Sequence, residues 1–114
     1  MSDCIFCKIA SREIPADIVY EDEHLVVFKD VKPVAPDHLL LIPKKHFSSP
    51  LDLGEDDIET AGRLMVTAAR IARETGFDKN GFRVVCNCGR DGGQTVNHIH
   101  YHLLAGRALQ WPPG

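Results

Sequence analysis

The stretch that most constrains this chain is His98-Ile99-His100-Tyr101-His102-Leu103-Leu104, where three of the six histidines alternate with bulky apolar residues. Successive side chains of a β-strand point to opposite faces. The spacing therefore predicts a strand with His98, His100 and His102 on one face and Ile99, Tyr101 and Leu103 on the other. A helix would turn His100 about 200° away from His98 and scatter the set. Imidazoles two residues apart on a strand sit roughly 6.7 Å apart, and the first and third roughly 13 Å apart. One metal ion can bridge two neighbours but not all three. A row of rings suits an extended polar group such as a phosphate chain. A His-x-His pair on a strand also supplies two ligands in many zinc enzymes, and spacing alone leaves both open, beside a half-exposed strand that is histidine-rich by chance.

A length of 114 residues fits one domain, residues 1–114. The chain is 44% hydrophobic and 25% charged, as ordinary globular proteins are. The net charge is −3 and Lys44-Lys45 is the one adjacent basic pair, so no nucleic-acid surface is expected. Met1 to Ala10 lacks a signal-peptide pattern, and no apolar run approaches the ~20 residues of a membrane span, so a cytoplasmic protein is expected. In a reducing compartment the pair Cys4 and Cys7 means metal or redox chemistry. Its place beside the terminus favours half a zinc site over a thioredoxin-like motif. Cys86-Asn87-Cys88 is expected inside an apolar strand, as small buryable residues.

Residues 5–13 predict a short helix ended by Pro15, with Ile5, Phe6 and Ile9 on one side. Strands are predicted at 18–20, 25–28, 38–43 and 81–86, with the fifth opened by His98. Residues 21–24 read as a hairpin turn, and Asp30 to Asp37 as a loop fixed by two prolines. Residues 55–75 carry the long helix, with Ile58, Ala61, Leu64, Met65, Ala68, Ala69, Ile71 and Ala72 at helical spacing. Its first turn is acidic, Arg70 and Arg73 lie near its end, and Gly76 suits the position after the last turn. Strands, hairpins and one long helix make an α+β domain with an antiparallel sheet.

Within this frame His100 is the candidate nucleophile, because a neutral imidazole attacks phosphorus near pH 7 when its other nitrogen is held. His102 could hold the phosphate or pass a proton to the leaving group. The Gly89–Thr95 loop runs into the histidines and offers backbone N–H groups, with Gln94 and Thr95 as side-chain donors. Asp30 could accept both hydroxyls of a ribose. His46 and His98 would complete a tetrahedral Cys2His2 set with Cys4 and Cys7. His24 and His38 are taken as structural.

The row His-Ile-His-Tyr-His-Leu-Leu resembles the histidine-triad pattern. The likeness extends through Cys-Ile-Phe-Cys-Lys-Ile, Glu-Ile-Pro-Ala, Phe-Lys-Asp, Ile-Pro-Lys-Lys-His, Asp-Gly-Gly-Gln-Thr and the closing Trp-Pro-Pro-Gly. The chain is similar to histidine-triad nucleotide-binding proteins of the purine nucleoside phosphoramidase branch. That resemblance implies a five-stranded antiparallel sheet with one short and one long helix, paired into a homodimer whose sheet is continuous over ten strands. It implies hydrolysis of the P–N bond of purine nucleoside 5′-phosphoramidates to the monophosphate and an amine, through a nucleotidyl-histidine on His100. Dinucleoside polyphosphate hydrolysis and a nucleotide-binding regulatory module are the alternatives.

His102 and Thr95 would join His100 in catalysis, with Gln94, Gly93 and Asn87 around the phosphate and Asp30 on the ribose. Ile5, Phe6, Ile9, Ile14, Phe28 and Val31 would form the purine slot. The tail, residues 107–114 with Trp111, would reach the partner subunit's site. One structural zinc per subunit would sit on Cys4, Cys7, His46 and His98, and no cofactor would be needed for the chemistry. The chain departs from some relatives at Lys29, where they carry His, and at Thr95, where Ser is common and the hydroxyl is kept.

Overall fold

Two strands rich in aliphatic residues, β2 (Leu25–Lys29) and β3 (Asp37–Pro43), are buried along almost their whole length. Continuous apolar runs of this kind need cover on both faces of a sheet. Both covers are present. On one face Leu25, Val27, Leu39, Leu41 and Leu103 pack against Leu64, Ala68 and Ile71 of the long helix α2 (Ile58–Thr75). On the other, Val26, Phe28, Leu40 and Ile42 pack against Phe6 and Ile9 of the short helix α1 (Ile5–Ala10).

With β1 (Ile18–Glu21), β4 (Arg83–Val85) and β5 (Tyr101–Ala105), the strands form one five-stranded sheet in the order β1-β2-β3-β5-β4. Every neighbouring pair is antiparallel. This is the α+β architecture expected. The structure is a computed structural model and describes residues 3–114, so the first two residues of the expected 1–114 domain lie outside the described residues. Among the described residues no helix is long and apolar enough to cross a membrane.

Several element ends differ from expectation, each for a local reason. The first helix stops at Ala10, not at Pro15. Arg12 takes a left-handed conformation (φ 69°), which turns the chain out of the helix early. Residues 55–57 form a 3₁₀ turn ahead of α2, and Gly76 (φ 88°) closes α2 in the left-handed region that favours glycine. β4 ends at Val85, and Cys86 is exposed, not buried within a strand.

The fifth strand begins at Tyr101, not at His98. Its partner runs out: the β3–β5 ladder ends at the pair Leu41–Tyr101, two residues before Pro43, which has no N–H to donate. The Pro43 carbonyl accepts instead from the His98 ring (Nε2, 2.9 Å), and Ile99 N donates to Phe47 O (2.7 Å). The alternation survives this irregular entry. Ile99 and Leu103 are buried, while the rings of His98 and His100 meet the edge of Phe6 beneath α1.

Candidate functional site

A cavity of about 470 Å³ opens on the α1 face of the sheet, within the usual size range for small-molecule sites. The helix supplies Ile5, Phe6 and Ile9, the following turn Ile14, and β2 with its loop Phe28, Asp30 and Val31. Thr95, His100 and His102 close it. The expected purine slot and two of the three histidines therefore meet in one pocket. Most of its lining is apolar, and Lys29, Asp30, Lys32, Thr95, His100 and His102 add the polar groups.

His100 is buried, with its Nδ1 2.7 Å from the carbonyl of His98. A carbonyl can only accept, so Nδ1 carries the hydrogen and Nε2 keeps its lone pair. That is the tautomer a nucleophilic imidazole needs. The His100 and His102 rings lie 5.0 Å apart, at a steep angle to each other. Burial, reinforced by the neighbouring His100 and His38 rings, pushes the His102 imidazole down to about 4, so it is neutral at physiological pH.

His38 belongs to this group, not to the structural background where the sequence put it. It is buried, its Nε2 lies 2.9 Å from His102 Nδ1 and 3.4 Å from Asp30 Oδ2, and its Nδ1 accepts the Val34 N–H at 3.1 Å. Burial lowers its proton affinity, opposed by the Asp30 charge. Asp30, His38 and His102 place one ligand atom each within 4.8 Å of one another. They nevertheless make a poor metal site. With Nδ1 accepting from the backbone, a metal on Nε2 would demand an imidazolate. Only strand register could have revealed His38: it lies two residues from Leu40, the β3 partner of His102.

Cys4, Cys7, His46 and His98 form a second cluster whose ligand atoms also lie within 4.8 Å of one another. His98 Nδ1 is 3.3 Å from Cys4 Sγ, 3.5 Å from Cys7 Sγ and 3.1 Å from His46 Nδ1, and Cys7 Sγ is 3.3 Å from His46 Nδ1. A tetrahedron with ordinary zinc bond lengths has edges of about 3.3–3.8 Å, so these separations fit a structural zinc. The carbonyl of Pro43 holds the His98 hydrogen on Nε2, which leaves Nδ1 free to coordinate. Burial lowers the proton affinity of His98, which also favours the neutral ligand form. Four residues from α1, the loop after β3 and the segment before β5 are thus tied at one point.

The remaining expected contacts lie elsewhere. The Gln94 side chain spans Gly89 N, Ser48 O and Val96 O, pinning the glycine loop in place. Asn87 Nδ2 reaches Gly93 O at 3.5 Å. Gly92 rests so close to the Cys88 backbone that a Cβ there would meet Cys88 O at 2.4 Å. Trp111 is 80% exposed and lines no part of this subunit's cavity.

An imidazole row feeding an antiparallel sheet, a nucleotide-sized pocket and an adjoining Cys2His2 centre define a hydrolase-like nucleotide-binding fold. The family model described as scavenger mRNA decapping enzyme C-term binding matches residues 3–110. An uncharacterised HIT-like protein of Synechococcus elongatus is 50% identical, over 98% of this chain and 97% of its own. A 14 kDa zinc-binding protein of Brassica juncea is 46% identical, over 98% of this chain and all of its own. A solved HIT family hydrolase from Legionella pneumophila superposes with a TM-score of 0.96 at 47% identity, covering 98% of this chain and 100% of that one. The chain belongs to the histidine triad (HIT) family.

Proposed function

We propose that this protein hydrolyses the P–N bond of purine nucleoside 5′-phosphoramidates through a covalent nucleotidyl-histidine on His100. The observation that carries this is the His100 ring, held by the His98 carbonyl so that a bare Nε2 remains for the substrate. The purine lies among Ile5, Phe6, Ile9, Ile14, Phe28 and Val31, which stack on a base without reading its edge. Asp30 takes the ribose hydroxyls. Its Oδ1 already accepts the Lys32 N–H at 2.7 Å, which fixes the carboxylate.

The Nε2 lone pair of His100 attacks the α-phosphorus. The P–N electron pair leaves with the nitrogen, which takes a proton from water and departs as the amine. His102, neutral at working pH, holds a phosphate oxygen, with Thr95 beside it. The loop through Gly93, which the Gln94 side chain pins and Asn87 touches, carries Thr95 to the cavity. Water then attacks phosphorus, the His100–phosphorus bond breaks, and the nucleoside monophosphate is released. Zinc on Cys4, Cys7, His46 and His98 would supply rigidity, not chemistry.

The working unit is a homodimer. Ile58, Gly62, Met65 and Val66 form an exposed stripe on α2, and β4 is a sheet edge, so a partner could cover the one and continue the other into ten strands. Arg83 of β4 donates to Gln110 O (2.8 Å), which holds the tail at that edge, and from there residues 107–114 with Trp111 would reach a partner's site. Zinc thiolates suit a reducing cytoplasm.

Rapid quench of the enzyme with a labelled adenosine phosphoramidate, followed by peptide mapping, tests the chemistry. A nucleotide on His100 is expected, and turnover with no adduct there would overturn the proposal. A diadenosine polyphosphate turned over faster than the phosphoramidate would favour the polyphosphate alternative.

A further inference from the structure

We propose that Gln94 is a positioning residue and not a ligand of the phosphate: its side-chain amide clamps the glycine loop to the turn after β3 and so sets Thr95 in the cavity. This rests on the phosphoramidase reading above. The resemblance places Gln94 around the phosphate, but its hydrogen bonds leave it nothing to offer there. Gln94 Nε2 donates to Ser48 O at 2.6 Å and to Val96 O at 3.0 Å, which uses both of its hydrogens. Its Oε1 accepts the Gly89 N–H at 3.0 Å. Turning the amide over would set its oxygen against two carbonyls and its nitrogen against an N–H, so the partners fix its orientation. One lone pair of Oε1 is left, and a phosphate oxygen, itself an acceptor, has no use for it.

The clamp works on the loop and across the fold. Gln94 N donates to Gly89 O (3.0 Å) while Gly89 N donates to Gln94 Oε1, so the two residues close the loop at its base. Further away, three consecutive residues after β3 hold the segment that leads into β5. His46 meets His98 in the Cys2His2 cluster, Phe47 O accepts from Ile99 N (2.7 Å), and Ser48 O accepts from Gln94. Ser48 is fixed in turn, its N–H donated to Asp52 Oδ2 at 2.8 Å. The first two contacts hold the backbone beside His100. Gln94 secures the other end, where its neighbours Thr95 and Val96 line the cavity and Gln94 itself does not. Its loss should therefore misplace the Thr95 hydroxyl and slow turnover while leaving the purine slot as it is.

Nitrogen-resolved NMR of the wild-type protein tests this without a variant. Both Gln94 amide hydrogens should exchange slowly with water and couple to the Ser48 and Val96 carbonyl carbons, with AMP absent and with AMP bound. Free exchange in either state, or a coupling to phosphorus once AMP binds, would overturn the proposal. A double-mutant cycle on turnover of an adenosine phosphoramidate supplies the second readout. Gln94→Met keeps the length and removes the amide, and is expected to lower kcat about tenfold with adenosine affinity unchanged within about twofold. Because Gln94 acts through Thr95, adding Gln94→Met to Thr95→Ala should lower kcat by no more than about threefold beyond Thr95→Ala alone. A larger combined loss is what a phosphate ligand in its own right would give, and would sink the idea. AMP binding needs no cleavage, so the spectra decide Gln94 even where no nucleotide is found on His100, the result on which the phosphoramidase reading fails.

Discussion

Leu40 of β3 stands directly opposite His102 of β5, and this pairing brings His38, two residues earlier on β3, against the His102 ring. The rings of His38 and His102 are 5.1 Å apart although 64 residues separate them. A strand that looks wholly structural thus supplies the ring that stands behind His102, which itself lines the cavity. The same register places Leu39 opposite Leu103 on the other face, inside the α2 core. Site and core are therefore two sides of one ladder, and perturbing either reaches the other.

His100→Ala should lower turnover by at least about a thousandfold, since no other side chain in the cavity presents a bare imidazole nitrogen to phosphorus. Nucleotide affinity should change little. Single-turnover kinetics beside calorimetric AMP binding measures both, and a variant turning over at the wild-type rate would rule out His100 as nucleophile.

Phe6→Ala should destabilise the fold by about 3–5 kcal/mol and also weaken AMP binding. Phe6 is buried and lies edge-on to Phe28 (5.6 Å) and His100 (5.1 Å), so its loss opens both the α1 core and the purine slot. Chemical denaturation and calorimetry should show the two losses together.

Stability should fall as the medium is acidified. His102 has a folded value of about 4, against about 6.5 for an unfolded imidazole, so the unfolded state binds the proton first. Its contribution is complete above pH ~6.5 and is lost progressively down to pH ~4, by up to about 3 kcal/mol. His38 shifts in the same direction. Melting temperatures at pH 7 and pH 5 should differ more for the wild type than for His102→Gln, and equal differences would contradict the assignment.

Zinc removal should lower the melting temperature while leaving the initial rate nearly intact. The four ligands hold α1 to the segment before β5, but that segment is also held by the Pro43 carbonyl and the Ile99–Phe47 hydrogen bond. Elemental analysis should find one zinc per chain in the wild type and none in Cys4→Ser. A rate that vanishes with the metal while the fold persists would require a metal-dependent step.

Val66→Glu should convert the proposed dimer to a monomer. Val66 is 65% exposed at the end of the apolar stripe on α2, and a carboxylate covered there by the proposed partner would be costly. Light scattering after size exclusion should report the change in mass.

The alternating apolar residues, the helical spacing of residues 58–72, the two-by-two histidine period and the Cys4–Cys7 pair were local patterns. Local backbone geometry was enough to read from them the architecture, the nucleophile candidate and the zinc ligands. Long-range pairing decided what no period contains. It delayed the start of β5 to Tyr101 because Pro43 cannot extend the ladder, turned the His98 ring to the Pro43 carbonyl, and brought His38, with the Val34 N–H behind it, to His102. The reason is that side-chain period depends on neighbours in the chain. Tautomer and proton affinity depend on which donors and acceptors meet each ring: the His98 carbonyl at His100 and the Val34 N–H at His38 are near in the chain, but the His38–His102 and His98–Pro43 contacts bridge 64 and 55 residues, and only the folded sheet brings those together.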